Sequence, residues 1–180
     1  SEFYRMRARI TQELLRAGKC DLVALEADWP DTRALDGYVR GRSPNRLRVP
    51  PFSRFPSWMW RNSETRDFVD WLVNFNRERP HDRKISLHGL DLYSLNNSIG
   101  AVLAYLERVD PEAAEVARVR YSCFSPWEMD PATYGRAAIS GRMESCENDA
   151  IETLRELLQQ RIEYLELDGD EFFDAERNAT

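Results

Sequence analysis

The chain has 180 residues, of which 42% are apolar and 11% aromatic, so it is long and apolar enough to form one packed domain, with two small domains as the alternative, rather than a disordered segment. Its net charge of −6 disfavours the excess of lysine and arginine with which proteins bind nucleic acid or anionic membranes. No apolar run approaches the roughly 18 residues of a membrane span, so we expect neither a nucleic-acid nor a membrane partner.

The first predicted element is an amphipathic helix over residues 2–17 that ends at Gly18. Arg7 falls on the apolar stripe of this helix, three or four residues from its neighbours on either side. A buried arginine needs a carboxylate partner, although an arginine at the edge of a helix can also extend to solvent. The stripe that we expect to face inward consists of Phe3, Met6, Ile10 and Leu14.

A short apolar run over residues 22–25 follows and ends in two carboxylates, Glu26 and Asp28. The run is typical of a buried parallel strand, although a buried helix has the same pattern. Functional groups gather at the carboxyl ends of such strands, where Glu26 is the expected partner of Arg7. Asp28 lies just before Pro30, so it equally suits the N-cap of the next helix.

The middle of the chain predicts two helices separated by a long loop. The first covers residues 31–40 and ends at Gly41, and the second begins at Asn62 or Ser63. The loop over residues 42–62 is a candidate pocket wall, but its aromatic side chains equally suit a loop that is pinned onto the core. It contains Pro44, Pro50, Pro51 and Pro56 and the aromatic residues Phe52, Phe55, Trp58 and Trp60.

A second predicted strand covers residues 84–90 and is followed by Asp91. Gly89 within it indicates a bulge or a close backbone approach. His88 and Asp91 would then lie at the same edge of the sheet as Glu26. A single histidine there is more often a hydrogen-bonded structural residue than a base, and Asp91 also suits a helix cap.

The remainder of the chain is predicted to be helical with one interruption. We expect helices over residues 94–108 and 110–121, an irregular segment over 122–142, and one long helix over 143–167. The acidic residues after position 163 indicate a solvated face or a partner surface.

The sequence lacks the common catalytic motifs, including the nucleophile elbow, the P-loop, the dinucleotide fingerprint and the zinc-protease helix. What remains is a set of polar residues that the two strand ends bring together: Arg7, Glu26, Asp28, His88 and Asp91. A carboxylate held by an arginine stays ionised and can orient a histidine or a water for general-base hydrolysis.

Three widely spaced cysteines without a paired motif, Cys20, Cys123 and Cys146, favour a reduced, cytoplasmic protein. With only two histidines in the chain, we expect no metal site and no cofactor. The chain begins directly in a helix and ends within one, which we interpret as a fragment.

Six blocks of this sequence carry a family signature: residues 2–7 (EFYRMR), 24–30 (ALEADWP), 55–62 (FPSWMWRN), 89–94 (GLDLYS), 118–124 (RVRYSCF) and 173–178 (FDAERN). Together they resemble the erythromycin esterase family, which includes macrolide-lactone hydrolases and many uncharacterised bacterial proteins. The blocks occur in the family order, cover nearly the whole chain, and specify the family more than the substrate.

The resemblance implies a site built around Arg7 and Glu26, which match the arginine and glutamate of the family's active site. The family's proposed base is the histidine of a Gly-Glu-x-x-His segment just upstream of the first block. A second essential histidine lies far downstream, and neither is present in this chain. Glu2 also matches a position near the site, whereas His88 matches neither family histidine. The expected substrate-binding residues are Glu2, Asp28, Trp58, Trp60, Arg61 and Asp91.

From these observations we expect an α/β fold with a mainly parallel sheet flanked by helices, rich in helix, forming a single incomplete domain over residues 1–180. The resemblance implies hydrolysis of a small-molecule lactone or other carboxylic ester by histidine-activated water in the full-length protein. The alternative is a ligand-binding or polysaccharide-biosynthesis accessory protein with the same fold and no hydrolytic activity.

Overall fold

The computed structural model describes residues 1–42, 52, 57–127, 131–141 and 143–180. These residues form two compact units, Ser1–Tyr93 and Ser94–Thr180, each with its own hydrophobic core. Five of the loop residues singled out in the sequence lie outside the described residues: Pro44, Pro50, Pro51, Phe55 and Pro56. None of the helices that the described residues form combines the length and the apolar composition needed to cross a bilayer.

Helix α1 (Glu2–Arg16) begins the first unit, and Gly18 follows its C-cap with a φ of +62° that suits a residue without a Cβ. The predicted inward stripe is wrong, because Phe3 is 88% exposed and Met6, Ile10 and Leu14 are exposed as well. The helix instead buries Leu15 and turns the row through Tyr4, Ala8 and Thr11 toward the core. Apolar spacing identifies an amphipathic helix, but the neighbouring elements decide which face they cover.

Strands β1 (Leu22–Asp28) and β2 (Ser86–Asp91) form a two-stranded parallel sheet. The register aligns Leu22 with Ser86 and Leu25 with Gly89, then shifts so that Asp28 lies opposite Asp91. The predicted strands and the helix-rich α/β fold are therefore confirmed. The shift brings the two acidic strand ends side by side.

Three helices complete the first unit: two confirm the helices predicted on either side of the loop, and a short one lies within the segment predicted to be irregular. Helix α2 (Trp29–Val39) follows β1 directly, α3 (Ser57–Trp60) is a single turn, and α4 (Ser63–Arg77) precedes a 3₁₀ turn at His81–Arg83. The Asn62 side chain caps α4 by accepting a hydrogen bond from the Thr65 backbone N–H at 2.9 Å. Their core consists of Leu35, Val39, Val69, Leu72, Ile85 and Leu87, together with Leu15, Ala27, Phe52 and Trp60.

Two buried polar residues fix β2 against these helices. The Asn76 amide nitrogen donates to the carbonyl oxygens of Val39 and Ile85 at 3.1 and 2.9 Å, and its oxygen accepts from the Ile85 N–H at 2.8 Å. Asp36 accepts from the Leu87 N–H at 2.8 Å. Both side chains are almost fully buried, so they satisfy backbone groups in β2 and in the residue before it that water cannot reach.

The second unit consists of helices around an aromatic-rich core. Helices α5 (Leu95–Val109) and α6 (Pro111–Tyr121) confirm the two predicted helices, with Asp110 capping α6 through the Ala113 N–H at 3.0 Å. They are followed by a 3₁₀ helix at Ser122–Trp127 and by α7 (Pro131–Ile139), α8 (Glu147–Gln159) and α9 (Arg161–Ala179).

Two predictions for this unit are wrong. The segment expected to be irregular contains a 3₁₀ helix and α7, and the expected single helix over 143–167 is divided between α8 and α9. The division occurs at Gln160, beyond which the Tyr164 hydroxyl donates to Asp110 Oδ2 at 3.0 Å. A tertiary contact that local periodicity does not reveal thus accompanies the break between α8 and α9.

The expectation of three reduced cysteines also fails, because Cys123 and Cys146 form a disulfide with their Cα atoms 6.0 Å apart. Only Cys20 is free among the cysteines, and it is half-buried. The two bonded residues are 23 positions apart, at the 3₁₀ helix and at the start of α8. Sequence separation gave no sign of their proximity, since the cysteines are not arranged in a recognisable motif.

Candidate functional site

A cavity of about 210 Å³ opens in the first unit between α1, β1 and the α3–α4 segment. Its walls are mainly apolar and aromatic, and its principal charged groups are Arg7, Glu26 and Glu64. Among the residues of the expected site, Arg7, Glu26 and Trp60 line this cavity. The other lining residues include Tyr4, Thr11, Val23, Leu25, Met59, Thr65 and Phe68.

Arg7 lies between two aromatic rings. Its guanidinium carbon is 4.9 Å from the centroid of the Tyr4 ring and 5.1 Å from that of Trp60. Both distances are within the range of a cation–π interaction. The ion pair expected between Arg7 and Glu26 is not formed. Among the described residues, no carboxylate lies within 4.0 Å of the Arg7 side chain. The rings hold the guanidinium while leaving its N–H groups available to a bound molecule.

Glu26 lies near the end of β1 with an exposed side chain. Its backbone carbonyl oxygen accepts a hydrogen bond from Trp60 Nε1–H at 2.9 Å. Trp60 is buried, and it contacts Arg7 through its ring and Glu26 through its N–H. These two contacts join α1, α3 and β1 at the wall of the cavity.

Asp28 is buried at the end of β1, where its carboxylate has a structural contact. It occupies the N-cap position of α2 without a side-chain capping bond, and its Oδ1 accepts instead from the Tyr93 backbone N–H at 2.8 Å. This bond ties the end of β1 to the segment after β2. Asp28 thus occupies the expected N-cap position, but its side chain makes no capping hydrogen bond.

The Tyr93 hydroxyl lies among the carboxylates at the ends of the two strands. Loss of solvent raises its pKa, and the neighbouring Asp91, Glu26 and Asp28 raise it further. The phenol therefore stays protonated to higher pH than an ordinary tyrosine and can donate a hydrogen bond. The shift in strand register places Asp91 opposite Asp28 at this acidic edge.

The remaining expected residues lie outside the lining of the 210 Å³ cavity. Glu2 is highly exposed and lies 3.8 Å from Arg5, while Trp58 is 65% exposed. Arg61 lines a separate cavity together with Trp60. His88 is half-buried, with Nε2 3.0 Å from Ser86 Oγ and its ring 5.7 Å from that of Trp29, which agrees with the structural alternative.

Sequence reasoning missed two residues of this region, Tyr4 and Tyr93. Tyr4 precedes Arg7 by three positions, so helical spacing places both on one face and is a usable signal. Tyr93 follows the end of β2, where nothing in the local pattern reveals that its backbone N–H binds Asp28.

The chemistry available here is that of a cation, a carboxylate and aromatic walls. No group of three or more histidine, cysteine, aspartate or glutamate side chains suited to a metal ion is found in the part of the chain that the structure describes. Arg7 can bind a carbonyl or carboxylate oxygen, and Glu26 can accept a proton or orient a donor. The rings of Tyr4, Trp60 and Phe68 offer an apolar surface to the rest of a bound molecule.

Comparison with known proteins gives one family and two similar folds. The sequence profile of the erythromycin esterase family matches residues 16–180. A crystal structure of a Bacillus cereus protein matches 98% of this chain with a TM-score of 0.76 and 22% identity. The crystal structure of a succinoglycan biosynthesis protein matches 99% of this chain with a TM-score of 0.70 and 19% identity.

These matches involve less than half of each solved protein. The chain covers 41% of the Bacillus cereus protein and 42% of the succinoglycan biosynthesis protein. At these identities the structural likeness establishes the fold alone.

Proposed function

This chain belongs to the erythromycin esterase family, and from that membership we propose that it contributes Arg7 and Glu26 to a site that hydrolyses a lactone or other carboxylic ester. The observation that supports this most is that both residues line one cavity and both contact Trp60. Their roles in the reaction follow from the chemistry of ester hydrolysis.

In the proposed reaction, the oxygen of water attacks the carbonyl carbon of the ester. A general base removes the water proton, and the carbonyl oxygen becomes an oxyanion. When the intermediate collapses, the bond to the alkoxy oxygen breaks, and that oxygen takes up a proton. Glu26 orients the base, and Arg7 holds the polar end of the substrate and offsets the developing negative charge.

The base is the histidine that the family resemblance implies, and it lies outside these 180 residues. The chain contains no Gly-Glu-x-x-His sequence, and neither His81 nor His88 lines the cavity. We therefore propose that the 180-residue chain alone has no hydrolase activity. Measurable ester cleavage by this chain would contradict that proposal.

The size of the cavity suggests that only part of the substrate enters it. Pockets that enclose drug-sized ligands are about 300–1,000 Å³, whereas this cavity is about 210 Å³. The ester group and its nearest carbons would fit between Arg7 and the aromatic walls. We propose that the rest of a large lactone would lie outside the cavity.

The experiment is to incubate the full-length protein with macrolides and simpler lactones and to follow the addition of water by mass spectrometry. Glu26→Gln should abolish turnover while the protein remains folded. Glu78→Gln is the matched control, because Glu78 is an exposed glutamate at the end of α4 and lies outside the cavity lining. Full activity of Glu26→Gln would refute the proposed role of Glu26.

A second candidate function is ligand binding in polysaccharide biosynthesis without hydrolysis. It is favoured by the fold shared with a protein named for succinoglycan biosynthesis. Aromatic side chains such as Trp60 suit the apolar faces of sugars. Saturable binding of an acidic oligosaccharide by a full-length protein that cleaves no ester would favour this function over the first.

A further inference from the structure

A second cavity, of about 530 Å³, lies in the first unit where α2 meets the start of α4. Its apolar side chains Leu35, Phe52, Trp60 and Val69 are all less than 10% exposed. Trp60 also contributes to the 210 Å³ cavity, so one indole lines both spaces. The larger cavity has room for a complete ring, whereas the smaller one suits only part of a substrate.

Phe52 contributes a ring to this cavity from an unusual backbone conformation. Its φ is +58°, in the left-handed region that residues other than glycine seldom adopt. The backbone N–H of Phe52 donates to Asp31 Oδ2 at 2.8 Å, which holds the conformation. Its ring centroid lies 6.2 Å from that of Trp60 with an angle of 40° between the planes, so the two rings form an aromatic corner. Retained strain of this kind is concentrated at functional sites.

Among the described residues that line the cavity, the charged groups are Arg61, Arg66 and Asp70. Arg61 is exposed and has no ion-pair partner among the described residues, whereas Arg66 lies 3.5 Å from Asp67. Asp70 is the acidic residue among the described lining residues. The Asn62 side chain is already engaged in capping α4, so Arg61 is the group best placed to bind an anion.

We propose that this cavity binds an aromatic carboxylate, with its ring against Phe52 and Trp60 and its carboxylate on Arg61. The aromatic corner supplies the apolar contact, and the guanidinium supplies a charge-assisted hydrogen bond at the rim. This site uses neither Arg7 nor Glu26, so it does not depend on ester hydrolysis by the smaller cavity.

The test is a titration of the protein with 2-naphthoate, in which binding is measured by isothermal titration calorimetry and by tryptophan fluorescence. We expect saturable binding of one molecule per chain, and Arg61→Gln should weaken it about tenfold by removing a charge-assisted hydrogen bond. Arg77→Gln is the matched control, since Arg77 is an exposed arginine in the last turn of α4 and lies outside the cavity lining. The neutral 2-naphthalenemethanol should bind the unaltered protein as weakly as naphthoate binds Arg61→Gln.

Two results would overturn the proposal: no saturable binding of naphthoate, or equal affinities of the unaltered protein and a folded Arg61→Gln. Arg7→Gln identifies the cavity, because it should leave naphthoate affinity unchanged. A loss of affinity in Arg7→Gln but not in Arg61→Gln would place the probe in the smaller cavity and also refute the proposal. Glu26→Gln should likewise bind naphthoate normally, so failure of the hydrolase proposal is distinguishable from failure of this one.

Discussion

The indole Nε1–H of Trp60 donates a hydrogen bond to the backbone carbonyl oxygen of Glu26, 2.9 Å away. The guanidinium carbon of Arg7 lies over the same indole, 5.1 Å from its ring centroid. The two residues proposed to act on a substrate are therefore related through a third residue rather than by an ion pair. Because Trp60 is buried, its position is set by the core of the first unit.

Trp60→Phe should destabilise the first unit by about 1–3 kcal/mol, because it removes the N–H that satisfies Glu26 and leaves space where the larger ring packed. Urea denaturation monitored by circular dichroism measures the change in the free energy of unfolding. Trp58→Phe is the control, since Trp58 is 65% exposed and its replacement should change the free energy of unfolding by less than about 0.5 kcal/mol. Equal effects of the two substitutions would contradict the structural role of the Trp60 hydrogen bond.

Asn76→Ala should cost about 3 kcal/mol or more, because it leaves two backbone carbonyl groups and one N–H without their buried partner. The same denaturation measurement applies. Asn74→Ala, two residues earlier on the exposed side of α4, should have little effect. A mild phenotype for Asn76→Ala would mean that water replaces the lost side chain at the start of β2.

The disulfide should stabilise the second unit by about 3 kcal/mol, since it closes a loop between residues 23 positions apart. Replacing Cys123 and Cys146 together by serine should lower the melting temperature, and adding a reductant should lower it in the unaltered protein only. Alkylation of the denatured, unreduced protein should modify Cys20 alone. Modification of all three cysteines would show that the bond does not form in solution.

The second unit should lose stability in alkali because of Tyr121. Burial raises the pKa of this phenol from its ordinary value of 10.0 to about 12. The folded state therefore retains a proton that the unfolded state releases, so the contribution of Tyr121 to stability is constant below pH 10 and is lost as pH rises from 10 to 12. Tyr121→Phe should show a smaller fall over this interval, measured by thermal unfolding at several pH values. An identical fall in both proteins would assign the alkaline loss to other groups.

The strands were predictable because a short apolar run that ends in acidic residues has few structural interpretations. The same is true of α2 and α4, whose boundaries are marked by Asn62 and Gly41. In α1 the pattern identified the helix and misplaced its buried face. Apolar periodicity states that a face is suited to burial, whereas contact with neighbouring elements determines which face is buried.

Long-range pairing accounts for what the sequence did not reveal. Asn76 and Asp36 are ordinary polar residues in helical segments, and only the fold shows that Asn76 binds the backbone of Ile85, just before β2, and that Asp36 binds that of Leu87 within it. At the candidate site, Arg7 and Glu26 were identified from the sequence, but their relation to Trp60 depends on the return of the chain at α3. Trp58 and Trp60 occur in one motif, yet one is exposed and the other buried.

Gly89 imposes a limit on how this protein can vary. A Cβ at this position would come within 2.7 Å of both the Ala27 carbonyl oxygen and the Trp29 Cα, and both are backbone atoms that cannot yield without moving the end of β1. If all twenty amino acids were encoded at codon 89, clones that yield folded protein should retain glycine. The tolerance of this codon to mutation is thus a genetic measure of how closely the two strand ends must approach.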